Sequence, residues 1–214
     1  MAERFNWLVF IPILANILYY LLPPKKANTA LLFFPQILSY VMMIAWSCIN
    51  KPSNIRINTA NYKASIIYGF AVGLITGATN LFFILKVTGW LGQDYEFLRE
   101  TPHAKMPFLL MMPFGIILIS AFVEINFRGF ILSRFLTIFR NSSGGAFAAI
   151  AISSIVFATD PFMLFYFKIF AWLALFDGLI WGYLYYRTGN ILGPIAAHSI
   201  CVMIVYTILK VFYS

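Results

Sequence analysis

Long apolar runs recur along the whole chain, and they constrain its fold more than any other feature. Of the 214 residues, 62% are hydrophobic and 10% are charged, and the mean hydropathy is +0.85. The runs are about 20 residues long, the length that an α-helix needs to cross ~30 Å of hydrocarbon. No segments of alternating polarity, as in a membrane β-barrel, are visible. The sequence therefore predicts an all-α, polytopic integral membrane helical bundle.

The apolar runs predict about seven transmembrane helices in a single domain that covers residues 1–214. The predicted spans are 5–23, 29–49, 64–87, 107–134, 144–160, 162–186 and 191–212. The first run is interpreted as a retained span rather than a signal peptide, because the Leu-Leu-Pro-Pro-Lys-Lys sequence that follows it offers no small-x-small cleavage site.

Basic residues stand singly between the apolar runs and give the chain a net charge of +8. Scattered charges of this kind anchor and orient helices, so a nucleic-acid partner is not expected and the lipid bilayer is. More Lys and Arg residues fall on one side of the predicted bundle, namely Arg4, Lys51, Arg56, Lys63, Arg134, Arg140 and Arg187. We therefore predict a cytoplasmic N-terminus, and we expect a prokaryotic inner (plasma) membrane.

Glu124 and Arg128 interrupt the apolar sequence of the fourth predicted span. On an α-helix, residues spaced i, i+4 stand one turn apart, so the two charges can neutralise each other. Each would cost ~3 kcal/mol or more in hydrocarbon, so such groups mark a functional site by default. The alternative is that the pair only locks two helices together.

His198 lies near the start of the last predicted span. An isolated histidine there is ordinarily a hydrogen-bonded packing residue. If it faces Glu124, however, the imidazole and the carboxylate can together activate a water molecule.

Two aspartates in the same half of the chain also need an explanation. Asp160 precedes Pro161, an order that is typical of a helix N-cap followed by the first helical residue; a proton-handling role is the alternative. Asp177 lies inside the sixth predicted span, where it requires a partner such as Arg128 or His198 across the bundle.

Glycines spaced i, i+4 form flat stripes on two predicted spans. Gly69, Gly73 and Gly77 lie on the third, and Gly178 and Gly182 lie on the sixth. Such stripes allow close helix approach, and we favour packing within the bundle over a dimer interface.

Three segments between residues 120 and 202 resemble those of a known family. Val123–Leu132 (VEINFRGFIL) is similar to its Glu-Glu-x-x-x-Arg-Gly motif, Ser153–Pro161 (SSIVFATDP) stands where its Phe-x-x-x-His segment falls, and Gly178–His198 resembles the approach to its last histidine. This is the CPBP (CAAX protease and bacteriocin-processing, or Abi) family of membrane proteins, which is related to the type II CAAX prenyl endopeptidases.

The resemblance implies a glutamic intramembrane protease in which a glutamate and a histidine activate water. No cofactor is expected, and no metal is strictly needed, although the family has been described as metal-dependent. Its catalytic residues here would be Glu124, Arg128 and His198, with Asp160 and Asp177 as candidates for a supporting role. These side chains, apart from Asp160, are expected to line a polar cavity in the bundle.

Three polar groups of the family pattern are missing. The first glutamate of the motif is Val123, the histidine of the second motif falls at Pro161, and the final polar position is Val202. Valine and proline side chains cannot accept a proton, so the family's water-activating pair cannot form at those positions.

Three hypotheses follow from this pattern. The first is a catalytically degenerate relative that acts as a scaffold, subunit or binding protein for another membrane protein, a hydrophobic peptide or a lipid. The second is an active endopeptidase that uses Glu124 and His198. The third is a transporter of protons or small solutes, which the absence of internal repeats disfavours.

Overall fold

The structure is a computed structural model that describes residues 5–21, 32–50, 58, 60–90, 92, 98–99, 101–167 and 170–212. Regular structure in these residues is helical throughout, which confirms the all-α prediction. The main helices are α1 (Asn6–Leu21), α2 (Phe34–Ile49), α3 (Tyr62–Val87), α4 (Ile116–Ile138), α5 (Gly145–Ala158), α6 (Pro161–Phe167), α7 (Ala171–Thr188) and α8 (Leu192–Phe212). Short helical segments cover Thr88–Trp90, Pro102–Lys105, Phe108–Leu110 and Met111–Gly115.

Helices α3, α4 and α8 are each long and apolar enough to cross a membrane. The α5 and α6 pair qualifies as a fourth if the two are counted as one broken span, and α1 and α2 are apolar but shorter. The number of seven crossings therefore stays a prediction.

The predicted span 162–186 is described in two parts, because α6 ends at Phe167, α7 begins at Ala171, and residues 168–169 lie outside the described residues. At its start, α6 is bent by 57° from α5. Hydropathy could not reveal this, because both helices are apolar and a helix end is set by local hydrogen bonding rather than by composition.

The bend between α5 and α6 lies at Asp160 and Pro161. The backbone N–H of Phe162 donates a hydrogen bond to Asp160 Oδ1 at 3.0 Å, and Pro161 is the first residue of α6. This is the hydrogen bond of an N-cap, so the interpretation of Asp160-Pro161 as a helix start is confirmed.

The chain forms two compact units, each built from two stretches of sequence. The first unit contains Met1–Arg56 and Ile125–Gly182, and the second contains Ile57–Glu124 and Tyr183–Ser214.

In the second unit, α8 packs along α3 through the glycine stripe of α3. A Cβ on Gly73 would lie 2.6 Å from the carbonyl oxygen of Ala197, and one on Gly77 would lie 2.9 Å from Ile204 Cδ1. Because α8 occupies the space that side chains would need, the prediction of packing within the bundle is confirmed for this stripe. The Ile116–Glu124 part of α4 also packs against α8.

In the first unit, α1 packs on α2, and α5 packs against the Ile125–Leu132 part of α4. The second glycine stripe, on α7, packs against α5. A Cβ on Gly178 would lie 2.9 Å from Ser154 Cβ, and one on Gly182 would lie 3.1 Å from Ile150 Cγ2. This stripe, too, is used for packing inside the protein.

Candidate functional site

Glu124 and His198 meet in the second unit. The Nδ1 atom of His198 lies 2.8 Å from Oε1 of Glu124, at hydrogen-bond distance. The Glu124 side chain is 0% exposed, and that of His198 is 12% exposed. The pair therefore connects α4 to α8 through a contact from which water is almost fully excluded.

The turn before α8 sets the position of His198. Gly189 has φ +60° and ends α7, and its N–H donates to the carbonyl oxygen of Tyr185 at 2.9 Å. The buried Asn190 then caps α8, because its Oδ1 accepts a hydrogen bond from the Leu192 N–H at 3.1 Å. Its Nδ2 donates to the carbonyl oxygen of Asn58 at 2.8 Å, which fixes this turn in the second unit.

Arg128 lies in the first unit, within a π-helical segment, Ile125–Leu132. Its guanidinium carbon stands 4.8 Å from the ring centre of Phe157 and 5.6 Å from that of Trp181, and Nη2 donates to the carbonyl oxygen of Gly178 at 3.4 Å. The side chain is 1% exposed. Aromatic faces and a carbonyl thus replace much of the hydration that this cation loses.

Glu124 and Arg128 belong to different units, so the expected ion pair between them stays a prediction. The segment that contains Arg128 is a π-helix, which hydrogen-bonds i to i+5. Bulges of this type are frequent at functional sites.

Asp160 and Asp177 are both buried in the first unit. Gln36 Nε2 donates to Asp160 Oδ1 at 2.9 Å, in addition to the capping hydrogen bond from Phe162. Asp177 lies in α7, immediately before the Gly178 that packs on Ser154.

Of the predicted site residues, the structure brings Glu124 and His198 together in the second unit and places Arg128, Asp160 and Asp177 in the first. The predicted cavity that contains Glu124, Arg128, Asp177 and His198 stays a prediction. So do the catalytic roles given to these side chains.

The sequence interpretation missed one buried charge, Arg134. It was counted among the basic residues that flank helices, yet it is 2% exposed. Its guanidinium carbon lies 3.7 Å from the ring centre of Trp46, and Nη1 donates to Asn6 Oδ1 at 3.1 Å. The tryptophan face and the amide oxygen explain how a cation can be buried here. Sequence offers no signal for this contact, because Trp46 and Asn6 are far from Arg134 along the chain.

Residues 105–204 match the family model for Type II CAAX prenyl endopeptidase Rce1-like proteins. The family resemblance is confirmed. The match covers α4 to α7 and much of α8, and it includes both Glu124 and His198. No curated protein and no solved structure matches the chain. The match covers a little under half of the chain, and together with the long apolar helices it shows similarity to CAAX-protease-like integral membrane proteins.

Val123, Pro161 and Val202 stand at the positions where the resemblance led us to expect polar groups. Pro161 is buried at the start of α6, and Val123 and Val202 are half-buried on α4 and α8. In the second unit, the Glu124 carboxylate lies at hydrogen-bond distance from the His198 imidazole. Such a carboxylate fixes the orientation and tautomer of the ring and stabilises its protonated form.

Proposed function

We propose that this protein is a catalytically silent relative of the type II CAAX prenyl endopeptidases, and that it binds a hydrophobic membrane peptide, a lipid or another membrane protein. The observation that carries the proposal is the direct 2.8 Å contact between His198 Nδ1 and Glu124 Oε1, with Glu124 0% exposed. A glutamate that is fully buried and already hydrogen-bonded to the histidine links α4 to α8. It does not itself contact the water molecule that would attack a substrate.

The three apolar replacements support the same conclusion. A group that activates water must accept a proton within hydrogen-bond reach, and neither Val123, Pro161 nor Val202 can do so. Catalytic residues act as a unit, so the loss of several members removes most of the effect of the rest. What such a protein retains is the surface that recognises the hydrophobic ligand.

The experiment that tests this proposal measures binding and turnover on one sample. The protein is reconstituted in lipid nanodiscs and exposed to a farnesylated CAAX peptide that carries a photo-crosslinker, and the products are read by mass spectrometry. We expect the intact peptide to crosslink, and excess unlabelled farnesylated peptide to compete. The matched control is the same peptide without the farnesyl group. Equal labelling by both peptides, together with the absence of a stoichiometric protein partner from native-membrane pull-downs, would contradict a binding role.

A second candidate function is supported by the partial exposure of His198. In this alternative His198 is the general base, acting through Nε2, and Glu124 holds the imidazole through Nδ1. An active family endopeptidase is assayed in parallel as the positive control. Release of the C-terminal tripeptide by the wild-type protein, with loss of that release in Glu124→Gln, would establish this alternative and exclude the silent protein.

A further inference from the structure

A small cavity lies in the first unit, and several polar side chains contribute to its walls. Its volume is about 10 Å³, which is at the lower limit of the space that one buried water molecule needs. Its walls come from α1, α2, α4 and α5 and from the bend before α6. The polar side chains that line it are those of Asn16, Gln36, Ser39, Asn126 and Asp160.

One buried oxygen acceptor at the cavity has no hydrogen-bond donor among the described residues. Asn16 is 6% exposed, and its Oδ1 has no hydrogen-bond partner among the described residues, while its Nδ2 donates to the carbonyl oxygen of Val156 at 3.5 Å. Ser39 Oγ donates to Asn126 Oδ1, so this hydroxyl retains its lone pairs for a further contact. A buried acceptor without a donor is costly, and a bound cation would satisfy it.

Asp160 adds a negative charge that is stabilised by hydrogen bonds from Phe162 N–H and Gln36 but is not neutralised by a cationic side chain among the described residues. It is 2% exposed, and the polar side chain that contacts it is the neutral amide of Gln36. Among the described residues, no Lys, Arg or His lies within ion-pair distance of its carboxylate. A buried, unpaired carboxylate is strongly disfavoured unless a counter-charge is supplied.

The end of α5 increases the negative potential at the same place. Val156, in its last turn, lines the cavity, and the C-terminus of an α-helix carries a partial negative charge of about half an electron. The helix is broken here by the 57° bend into α6. Broken helices whose C-terminal ends face a polar cavity are a recurrent way to bind small cations inside membrane proteins.

We propose that this cavity binds a monovalent cation of sodium's size, coordinated by the Asp160 carboxylate and Asn16 Oδ1, with oxygens of Gln36 and Ser39 as further ligands. A hard cation takes oxygen ligands of this kind. A single carboxylate neutralises one positive charge, whereas sites for Ca²⁺ ordinarily contain several carboxylates, and Mg²⁺ retains waters for which the cavity is too small. The described residues bring no three His, Cys, Asp or Glu side chains together, so the ligand set does not suit zinc.

The test is the thermal unfolding of the purified protein in detergent, with NaCl replaced by choline chloride at constant ionic strength. Because a ligand that binds only the folded state stabilises it, we expect the unfolding temperature to rise with NaCl and to saturate, by about 5 °C or more at a hundredfold excess over the half-saturating concentration. Choline should give no such rise. Asp160→Asn keeps a good N-cap and should abolish the rise, and Asn16→Ala should raise the half-saturating NaCl concentration by ~10-fold.

The control variant is Thr101→Val, which removes a buried 2.7 Å contact with the Tyr206 hydroxyl in the second unit. It should lower the baseline unfolding temperature and leave the increment due to sodium unchanged. An equal response to choline, or an unchanged sodium increment in Asp160→Asn, would overturn the proposal. So would stability that follows pH and not sodium, because Asp160 would then be neutralised by a proton. If Asp160→Asn does not fold, the Asn16→Ala titration and calorimetric titration of the wild type with NaCl decide the matter.

Discussion

At the scale of single residues, the Glu124–His198 contact is the feature with the clearest consequences. Truncating one member of a buried polar pair leaves the other without its partner. Glu124→Leu and His198→Leu should each lower the free energy of unfolding by about 2–4 kcal/mol, and the double variant should cost less than the sum by about 1–3 kcal/mol. Thermal unfolding of the wild type, the two single variants and the double variant gives the coupling free energy between the two side chains. Strict additivity would show that the two side chains do not interact.

Arg134 provides a second prediction at this scale. Lysine keeps the charge but loses the planar group that stacks on Trp46 at 3.7 Å and the hydrogen bond from Nη1 to Asn6. We expect Arg134→Lys to destabilise the protein by ~2 kcal/mol or more, measured by thermal unfolding. Arg140→Lys, at an exposed position of the same chain segment, is the matched control and should be close to neutral. Equal effects of the two substitutions would mean that the stacking contributes nothing.

Sequence could identify some of these residues but not their partners. Glu124 and His198 were predictable as candidates because ionisable groups are rare in apolar segments, and Asp160 was predictable as a cap because the signal lies in two adjacent residues. Arg134 could not be recognised as a buried residue. In the sequence, a basic residue near the end of an apolar run has the same signal whether its side chain contacts water or the face of Trp46. Contacts between distant parts of the chain decide such cases.

At the scale of helices, the glycine stripe of α3 makes the sharpest prediction. A Cβ on Gly73 would lie 2.6 Å from the backbone oxygen of Ala197 and 2.8 Å from Ile200 Cβ, so α8 must move to admit it. Gly73→Ala should therefore lower the free energy of unfolding by about 1–3 kcal/mol in thermal unfolding experiments.

Gly89 offers the matched control on the helical continuation of α3. A Cβ there would meet nothing within 4 Å, so Gly89→Ala should be neutral, or stabilising by up to ~1 kcal/mol through helix propensity. Destabilisation of the same size at both positions would show that the cost at Gly73 does not come from contact with α8.

Most helices were predictable because a helix that crosses a membrane needs an apolar run of about 20 residues, and such runs are visible in the sequence. The predicted span 64–87 corresponds to α3 (Tyr62–Val87), and the predicted 191–212 corresponds to α8 (Leu192–Phe212). The 57° bend between α5 and α6 could not be predicted in this way, because both helices are apolar. The π-helical hydrogen bonding of Ile125–Leu132 was equally inaccessible, because it has no signature in composition.

At the scale of the whole molecule, the number of crossings and the orientation in the bilayer remain predictions with a direct test. More Lys and Arg residues lie on the side of the predicted bundle that carries the N-terminus, which predicts that this terminus is cytoplasmic. Seven crossings would then place the C-terminus on the opposite side of the membrane. Reporter domains fused to each end, whose activity depends on the side of the membrane, should therefore give opposite results. The same result at both ends would indicate an even number of crossings.

The central claim is that the protein is catalytically silent and that its Glu124–His198 pair serves structure. The most direct measurement is mass-spectrometric profiling of new peptide termini in membranes from cells that express the wild type, Glu124→Gln or His198→Gln at equal levels. This readout assumes no particular substrate. We predict the same set of termini in all three samples. Fragments present with the wild type and lost with both variants would contradict the account and identify an active protease.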